Sequence, residues 1–215
     1  MTDVGRHPRI KLYSLTEVVS LKGYVGNFEV KLRKRARYVD ENACTSCGDC
    51  AAVCPVVRPD EYNAGLSSRR AIFKPFPQAV PASYLINNQE CLGFNPAVCT
   101  KCIEACKKNC INFHMSDEEL TEQVGTIVVT TGAEPYNPAE LDEYGYTRFE
   151  NVVTSLELER LINAGGPTQG ELVRPKDRKK PGTVGFIQCV GSRSARKGGA
   201  YCSNTCCMNT IKSTL

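Results

Sequence analysis

CTSCGDCAAVCP, residues 44–55, is the stretch that decides how this sequence is read. Cys44, Cys47, Cys50 and Cys54 fall within eleven residues, and Pro55 closes the run. A cubane iron–sulfur cluster needs soft thiolates at its corners, and one tight loop with cysteines three apart supplies three of them. The spacing C-x2-C-x2-C-x3-C-P is the bacterial cluster-binding run, whose fourth cysteine serves a second cluster. A second half-motif is therefore required. CLGFNPAVCTKCIEAC, residues 91–106, provides it as Cys91, Cys99, Cys102 and Cys106 in a stretched C-x7-C-x2-C-x3-C order.

The ligation is expected to cross over. Cluster one takes Cys44, Cys47, Cys50 and Cys106, and cluster two takes Cys91, Cys99, Cys102 and Cys54. Gly48 leaves the loop room to wrap around the cube, where backbone N–H groups can donate to the sulfurs. Two features depart from a two-cluster ferredoxin. Lys107 stands where the second half usually has proline, and Cys110 is a ninth thiol. Cys110 could replace Cys106 or Cys91, but it is expected to be a spare buried cysteine. Zinc is the rival metal, yet its four-cysteine sites use separated C-x2-C knuckles.

The rest of the composition agrees with a metal-binding cytosolic chain. Thirteen cysteines in 215 residues is an odd count, and MTDVGRHPRIKLY at the N-terminus lacks the apolar stretch of a signal peptide. Reduced, clustered thiols argue against a disulfide framework, and the expected compartment is cytoplasmic. Charged residues make up 23% and hydrophobic residues 41%, which suits a globular protein. No apolar run approaches the roughly 18 residues of a membrane span. The basic stretch Lys31–Arg37 reads as a solvated strand face, and without an aromatic ladder it does not suggest nucleic acid. His7 and His114 stand without partner motifs, so no acid–base or nucleophilic catalysis is read.

Three expected segments organise the chain. Residues 1–36 hold an antiparallel β unit with turn signals at Gly23 and Gly26-Asn27, in which Phe28, Val30 and Leu32 share one face. Residues 37–118 form a compact, proline-rich metal module that includes KPFPQAVPASYLI. In residues 119–215 the texture changes. VGTIVVTTG reads as a buried strand through Ile127, Val128 and Val129, and TVGFIQCVGS as another. Between them lies a helix with Thr154 as N-cap, Glu157 three residues on, and Gly165-Gly166 as the stop. A second helix is expected from Tyr201. Alternating strand and helix suggests an α/β layer.

Four further cysteines fall in this last segment. Cys189 closes a predicted strand, and Cys202, Cys206 and Cys207 open a predicted helix, with Cys202 and Cys206 on one face. A strand end opposite a helix N-terminus makes a natural four-thiol cage. A redox pair or packed free thiols would give the same spacing.

GYVGNFEVKLRKRARYVD, CTSCGDCAAVCP, KPFPQAVPASYLI, VGTIVVTTGAEPYNP, NVVTSLELERLI and VGFIQCVGSR…YCSNTCCM together resemble the HdrA family of heterodisulfide reductase, nearly end to end. The resemblance implies a fold class of mixed α+β and α/β type. Part of a thioredoxin-reductase-like FAD domain would be interrupted by a two-cluster ferredoxin-like insertion. VGTIVVTTG would carry the strand returning to that domain, with Thr131 and Gly132 beside FAD and Val18 near the adenine. Cys189, Cys202, Cys206 and Cys207 would hold a third [4Fe-4S] cluster where a nicotinamide site would otherwise lie. The glycine-rich phosphate loop of such a domain is not in this sequence, which reads as an internal fragment. The implied function is oxidoreduction: electrons pass between FAD and the clusters, in flavin-based bifurcation. The implied partners are other heterodisulfide reductase subunits, a hydrogenase- or formate-dehydrogenase-type donor and a ferredoxin, in a homo-oligomeric full-length protein. The alternatives are a stand-alone ferredoxin-like carrier without flavin and a zinc-binding interaction module.

Overall fold

The computed structural model describes residues 2–94, 98–195 and 199–214. It divides into two compact units, Met1–Tyr62 with Ser68–Thr130, and Asn63–Ser67 with Thr131–Leu215. The structure is mixed, with small sheets and short helices.

The first unit is organised by one antiparallel sheet. After a short helix α1 (Thr2–Arg6), β1 (Thr16–Tyr24) and β2 (Asn27–Lys34) form a hairpin around Val25-Gly26, and β7 (Glu118–Val124) pairs on the other side of β2. The alternation predicted for β2 is present: Val30 is buried and Phe28 and Leu32 are half-buried, while Lys31 and Arg33 are exposed. Opposite Leu32 lie Val18 on β1 and Leu120 on β7, so the apolar face continues across all three strands. The β1–β2 register slips between Val18 and Ser20, a bulge that bends the edge strand. The Glu122 carboxylate accepts hydrogen bonds from Tyr13 Oη and Lys11 Nζ, tying the preceding segment to the sheet.

Lys34 faces Glu118 across the β2–β7 ladder. The chain therefore leaves the sheet and re-enters it at one point, and everything between is looped out. The looped-out region contains α2 (Asp49–Ala52), β3 (Val57–Pro59) paired with β4 (Ser68–Arg70), β5 (Ile72–Phe73) paired with β6 (Leu85–Ile86), and α3 (Lys101–Ala105). Its core is its own: Val39, Val56, Ala71, Ile72, Ile86 and Ile111 pack with five buried cysteines. Tyr38, Phe94 and Phe113 form a row of rings with centroids 4.6 and 4.7 Å apart at its edge.

In the second unit α4 (Ser155–Ile162) forms as predicted. The Thr154 side chain accepts from the Glu157 N–H at 3.2 Å, and the Glu157 carboxylate accepts from the Thr154 N–H at 2.6 Å. This capping box satisfies two of the helix's orphan donors. Leu158 and Leu161 are buried with Val173, and buried Arg160 donates from Nε to Asn63 Oδ1 at 3.0 Å. Gly166 N–H returns to the Asn163 carbonyl just past the helix end.

The two apolar strands expected around this helix do not form. The ladder strand is β7, which ends at Val124, and 126–132 is irregular with Val128 79% and Val129 74% exposed. TVGFIQCV likewise makes no ladder, and Val184, Phe186 and Ile187 are exposed. Apolar composition makes a strand only where another strand offers its edge. β7 finds β2, whereas no described strand pairs with either apolar segment. The α/β layer is therefore corrected to a capped helix with extended flanks. The last helix, α5 (Cys206–Thr214), begins five residues later than expected. Cys202 precedes it, so Cys202 and Cys206 do not share a helical face.

Candidate metal centres

The first cysteine run wraps a tight loop. Ser46 and Gly48 both have positive φ, 59° and 93°, and Gly48 opens α2 by accepting from the Ala51 and Ala52 N–H groups at 3.0 Å. Glycine is required at position 48 on two grounds. Its backbone is left-handed, and a Cβ there would stand 3.3 Å from the Tyr84 hydroxyl. Cys50 then points into the core from α2, while Cys44 is half-buried and Cys47 is exposed. The thiol of Cys50 lies in electrostatic range of Cys44, Cys102 and Cys47. Burial first, then those neighbours, pushes it up to about 12, against the pull of the Ala51 N–H.

Cys54 leaves that group. It lines one pocket with Cys91, Cys99 and Cys102, closed by Pro55, Val56, Ile72, Leu92 and Lys101, of about 310 Å³ including its opening to solvent. Cys91 is raised by burial and by the charges of Cys54 and Cys99, and Gly93 N–H donates to its sulfur at 3.4 Å. Cys102, on α3, is pushed up to about 11 by burial and then by Cys91 and Cys99. Gly93 has no room for a side chain, since a Cβ would run into the Phe113 ring and lie 2.8 Å from the Cys99 carbonyl. α2 and α3 thus play equivalent parts, each delivering a buried cysteine at its second residue, Cys50 and Cys102.

Cys106 ends α3, and its sulfur lies 3.4 Å from that of Cys110. Cys110 is buried among Val39, Cys50 and Ile111 in the same core. Its carbonyl accepts from the Asp40 N–H at 2.7 Å, and Val39 bridges Ile111. Burial first, then hydrogen bonds and charge from Cys106 and Cys44, pushes the Cys110 thiol up to about 12. Burial would also raise Cys106, but N–H groups of Cys110, Lys108 and Asn109 and the Cys110 thiol outweigh it and lower the Cys106 value. Lys107, in the place of the usual proline, pairs with Asp49 at 3.8 Å on the surface, an ion pair worth little.

Among the described residues no three His, Cys, Asp or Glu side chains close on the point a single metal ion would occupy. The thiols of Cys54, Cys91, Cys99 and Cys102 instead line shared space, and Cys50 lies in electrostatic range of Cys44, Cys47 and Cys102. Thiol donors on glycine-bearing loops with free N–H groups suit a cubane cluster.

Near the C-terminus, Cys207 lies in electrostatic range of Cys189, Cys202 and Cys206. Cys189, with φ 61°, closes the extended segment, and Gln188 Nε2 donates to Thr210 Oγ1 on α5. Cys207 is raised by the charges of Cys206, Cys189 and Cys202. The backbone N–H of Cys189 is the main cause of a lowered value at Cys206. The intervening loop folds back on itself through Arg193 N–H to Tyr201 O and Gly199 N–H to Gly191 O. Arg196 and Lys197, expected to offset cluster charge with Arg193, lie outside the described residues. Cys202 and Cys207 are exposed and Cys189 and Cys206 half-buried, a far more open setting than the first two groups.

The residues expected beside FAD fall in different units, Val18 in the first and Thr131 and Gly132 in the second. Val18 lies 66% exposed at the β1 bulge, and Thr131 and Gly132 are exposed in irregular chain. Gly132 has a left-handed φ of 80°, but a Cβ there would meet nothing within 4 Å. Sequence reasoning also passes over Tyr84, whose hydroxyl stands over the first cysteine loop. Burial and the thiols of Cys50, Cys47 and Cys44 raise its phenol. Its one signal is its place in the proline-rich stretch KPFPQAVPASYLI.

Clustered thiols, several of them buried, fed by paired short helices mark a ferredoxin-type iron–sulfur protein, and residues 37–57 match the family described as a 4Fe-4S binding domain. The similarity then extends over 99% of the chain. The A2 iron–sulfur subunit of CoB–CoM heterodisulfide reductase from Methanopyrus kandleri is 51% identical over 212 residues, covering 32% of that protein. The A subunit of H(2):CoB-CoM heterodisulfide,ferredoxin reductase from Methanothermobacter thermautotrophicus is 46% identical, with 31% of it covered. The A subunit of H(2)/formate:CoB-CoM heterodisulfide,ferredoxin reductase from Methanococcus maripaludis is 44% identical, with 32% covered. Over the span it covers, the chain belongs to the HdrA family of heterodisulfide reductase, and it spans about a third of the length of these relatives. No helix among the described residues is long and apolar enough to cross a membrane.

Proposed function

We propose that this chain is an electron-transfer segment of a heterodisulfide-reductase-type oxidoreductase. Its looped-out region, about 37–118, would bind two [4Fe-4S] clusters, one on Cys44, Cys47, Cys50 and Cys106, the other on Cys54, Cys91, Cys99 and Cys102. Cys189, Cys202, Cys206 and Cys207 would bind a third. Such clusters supply reversible one-electron transfer. The protein's own contribution is to bury the thiols, donate N–H groups to sulfur and keep the two groups adjacent through α2 and α3.

One observation carries the reading: Cys54 shares a pocket with Cys91, Cys99 and Cys102 rather than with its sequence neighbours. That exchange is what two interlocked half-motifs require and a single local site does not.

The finer reading places this segment in a thioredoxin-reductase-like flavoprotein. β1, β2 and β7 and the 126–132 segment would belong to its FAD domain, with Val18, Thr131 and Gly132 near the flavin. FAD would exchange electron pairs and pass single electrons to the clusters, as in bifurcation. The relatives' names support partners that deliver electrons from H2 or formate and a ferredoxin that receives them, alongside other heterodisulfide reductase subunits.

The test is anaerobic reconstitution with iron and sulfide, followed by metal and acid-labile sulfide analysis and EPR of the reduced protein. About three clusters per chain, falling to about two when Cys189→Ala is introduced, is the expected result. Stoichiometric zinc with no labile sulfide would refute it. Flavin analysis of the protein extended to its relatives' full length tests the FAD assignment separately.

A further inference from the structure

The looped-out region has nine cysteines for the eight corners that two clusters offer the protein, so one thiol is left over. By spacing the surplus one is Cys110, and a surplus thiol is ordinarily a small buried hydrophobe. Its position here is not ordinary. The Cys110 sulfur lies 3.4 Å from that of Cys106, and its thiol is in electrostatic range of Cys44, the first cysteine of the opening run. It therefore sits between two of the four residues assigned to cluster one.

The two thiols are held by independent parts of the fold. Cys106 caps α3 and is half-buried, so its placement depends on that five-residue helix. Cys110 is 7% exposed and is fixed by the pairing of 38–40 with 110–112, through Asp40 N–H to Cys110 O and Asn112 N–H to Tyr38 O. The same pairing fixes Cys44, whose N–H donates to the Asp40 carbonyl at 3.0 Å. Cys110 and Cys44 are thus both tied to Asp40. Metal–thiolate bonds are about 2.3 Å long, so a corner bonded to one of two sulfurs 3.4 Å apart is reached from the other by a side-chain rotation.

We propose that Cys110 is a reserve ligand of cluster one, able to take over the iron corner that Cys106 holds. This rests on the two-cluster reading above and goes beyond it. In the exchange an iron–sulfur bond to Cys110 forms and the one to Cys106 breaks. The Cys110 thiol releases a proton and the Cys106 thiolate takes one up, so neither the electron count nor the net proton count changes. The chemistry needs no oxidant and no co-reactant.

The experiment compares the whole chain with Cys106→Ala, Cys110→Ala and the double variant, all reconstituted anaerobically. Iron, labile sulfide and the EPR spectrum of the reduced protein are the readouts. Both single variants are expected to keep the wild-type iron and sulfide. Cys106→Ala should show altered g-values for one cluster, because its ligand has moved, and Cys110→Ala should leave the spectrum in place. The double variant should lose about one cluster per chain. If Cys106→Ala alone loses that cluster, the reserve role is overturned and Cys106 is the sole ligand. If Cys110→Ala alone loses it, the role is equally overturned, with Cys110 the ordinary ligand. Neither single-variant outcome depends on whether the double variant folds. A wild-type chain that takes up zinc and no sulfide would instead overturn the two-cluster reading itself, and with it this proposal.

Discussion

On the proposed ligation, the thiols of the looped-out region and those near the C-terminus would answer the same chemical need in opposite settings. In the first, Cys50, Cys54, Cys91, Cys102 and Cys110 are buried members of a hydrophobic core. In the second, Cys202 and Cys207 are exposed, and none of the four cysteines is buried among the described residues. The first group brings its own scaffold, because short-range spacing, two four- or five-residue helices and two-stranded ladders close around it. The second hangs on an extended apolar segment and a helix N-terminus. Thiol spacing alone can assemble ligands, but it protects them only where the surrounding sequence also supplies a core.

The largest effect that could break this contrast is on folding. Cys50→Ala should lose about one cluster's iron and also lower the thermal midpoint of the region around it. Cys207→Ala should lose a similar amount of iron while leaving that midpoint in place. Equal destabilisation by both changes, in calorimetry of the reconstituted chain, would mean the two sites are equally built in.

Hydrogen exchange sharpens the comparison. Amides of 126–132 and 183–187, exposed and outside any ladder, should exchange with opening free energies near 0 kcal/mol. Those of β2 and β7 should require several kcal/mol. Protection of the apolar segments matching that of the ladder would show that they are paired after all.

A smaller effect concerns packing. Gly93→Ala forces a methyl against Phe113 beside Cys91, and overpacking of this kind costs about 1–3 kcal/mol. Urea denaturation should register it, with no change in the iron bound at the C-terminal cysteines. The smallest expected change is electronic. Tyr84→Phe removes a hydroxyl that stands over the Gly48 loop, and a lost donor near sulfur should make one cluster's reduction potential more negative. Redox titration followed by EPR checks it, and an unaltered potential would reduce Tyr84 to a packing residue.

Much of the insertion is legible in the sequence because its determinants are local. The cysteine spacings, Gly48 and Pro55 act over a few residues, and so does the Thr154–Glu157 box that starts α4. The hairpin is legible for the same reason, since Gly26 and the alternation of Phe28, Val30 and Leu32 are short-range signals. The apolar segments mislead because Ile127, Val128 and Val129 have strand composition, while a ladder depends on a neighbour that composition does not reveal. β7 escapes for the converse reason. EELTEQV is polar and unremarkable until the edge of β2 accepts it. Tyr84 and the Cys106–Cys110 contact are long-range or geometric, and no spacing rule reports them.

Five of the eleven buried residues in the core of the looped-out region are cysteines, so the side chains proposed to bind the clusters also fill the interior. On the proposed ligation, iron supply and chain maturation would then be coupled. A molecule made during iron shortage would present an unfinished interior to proteases, and turnover would remove it before it could join a redox assembly as an open circuit.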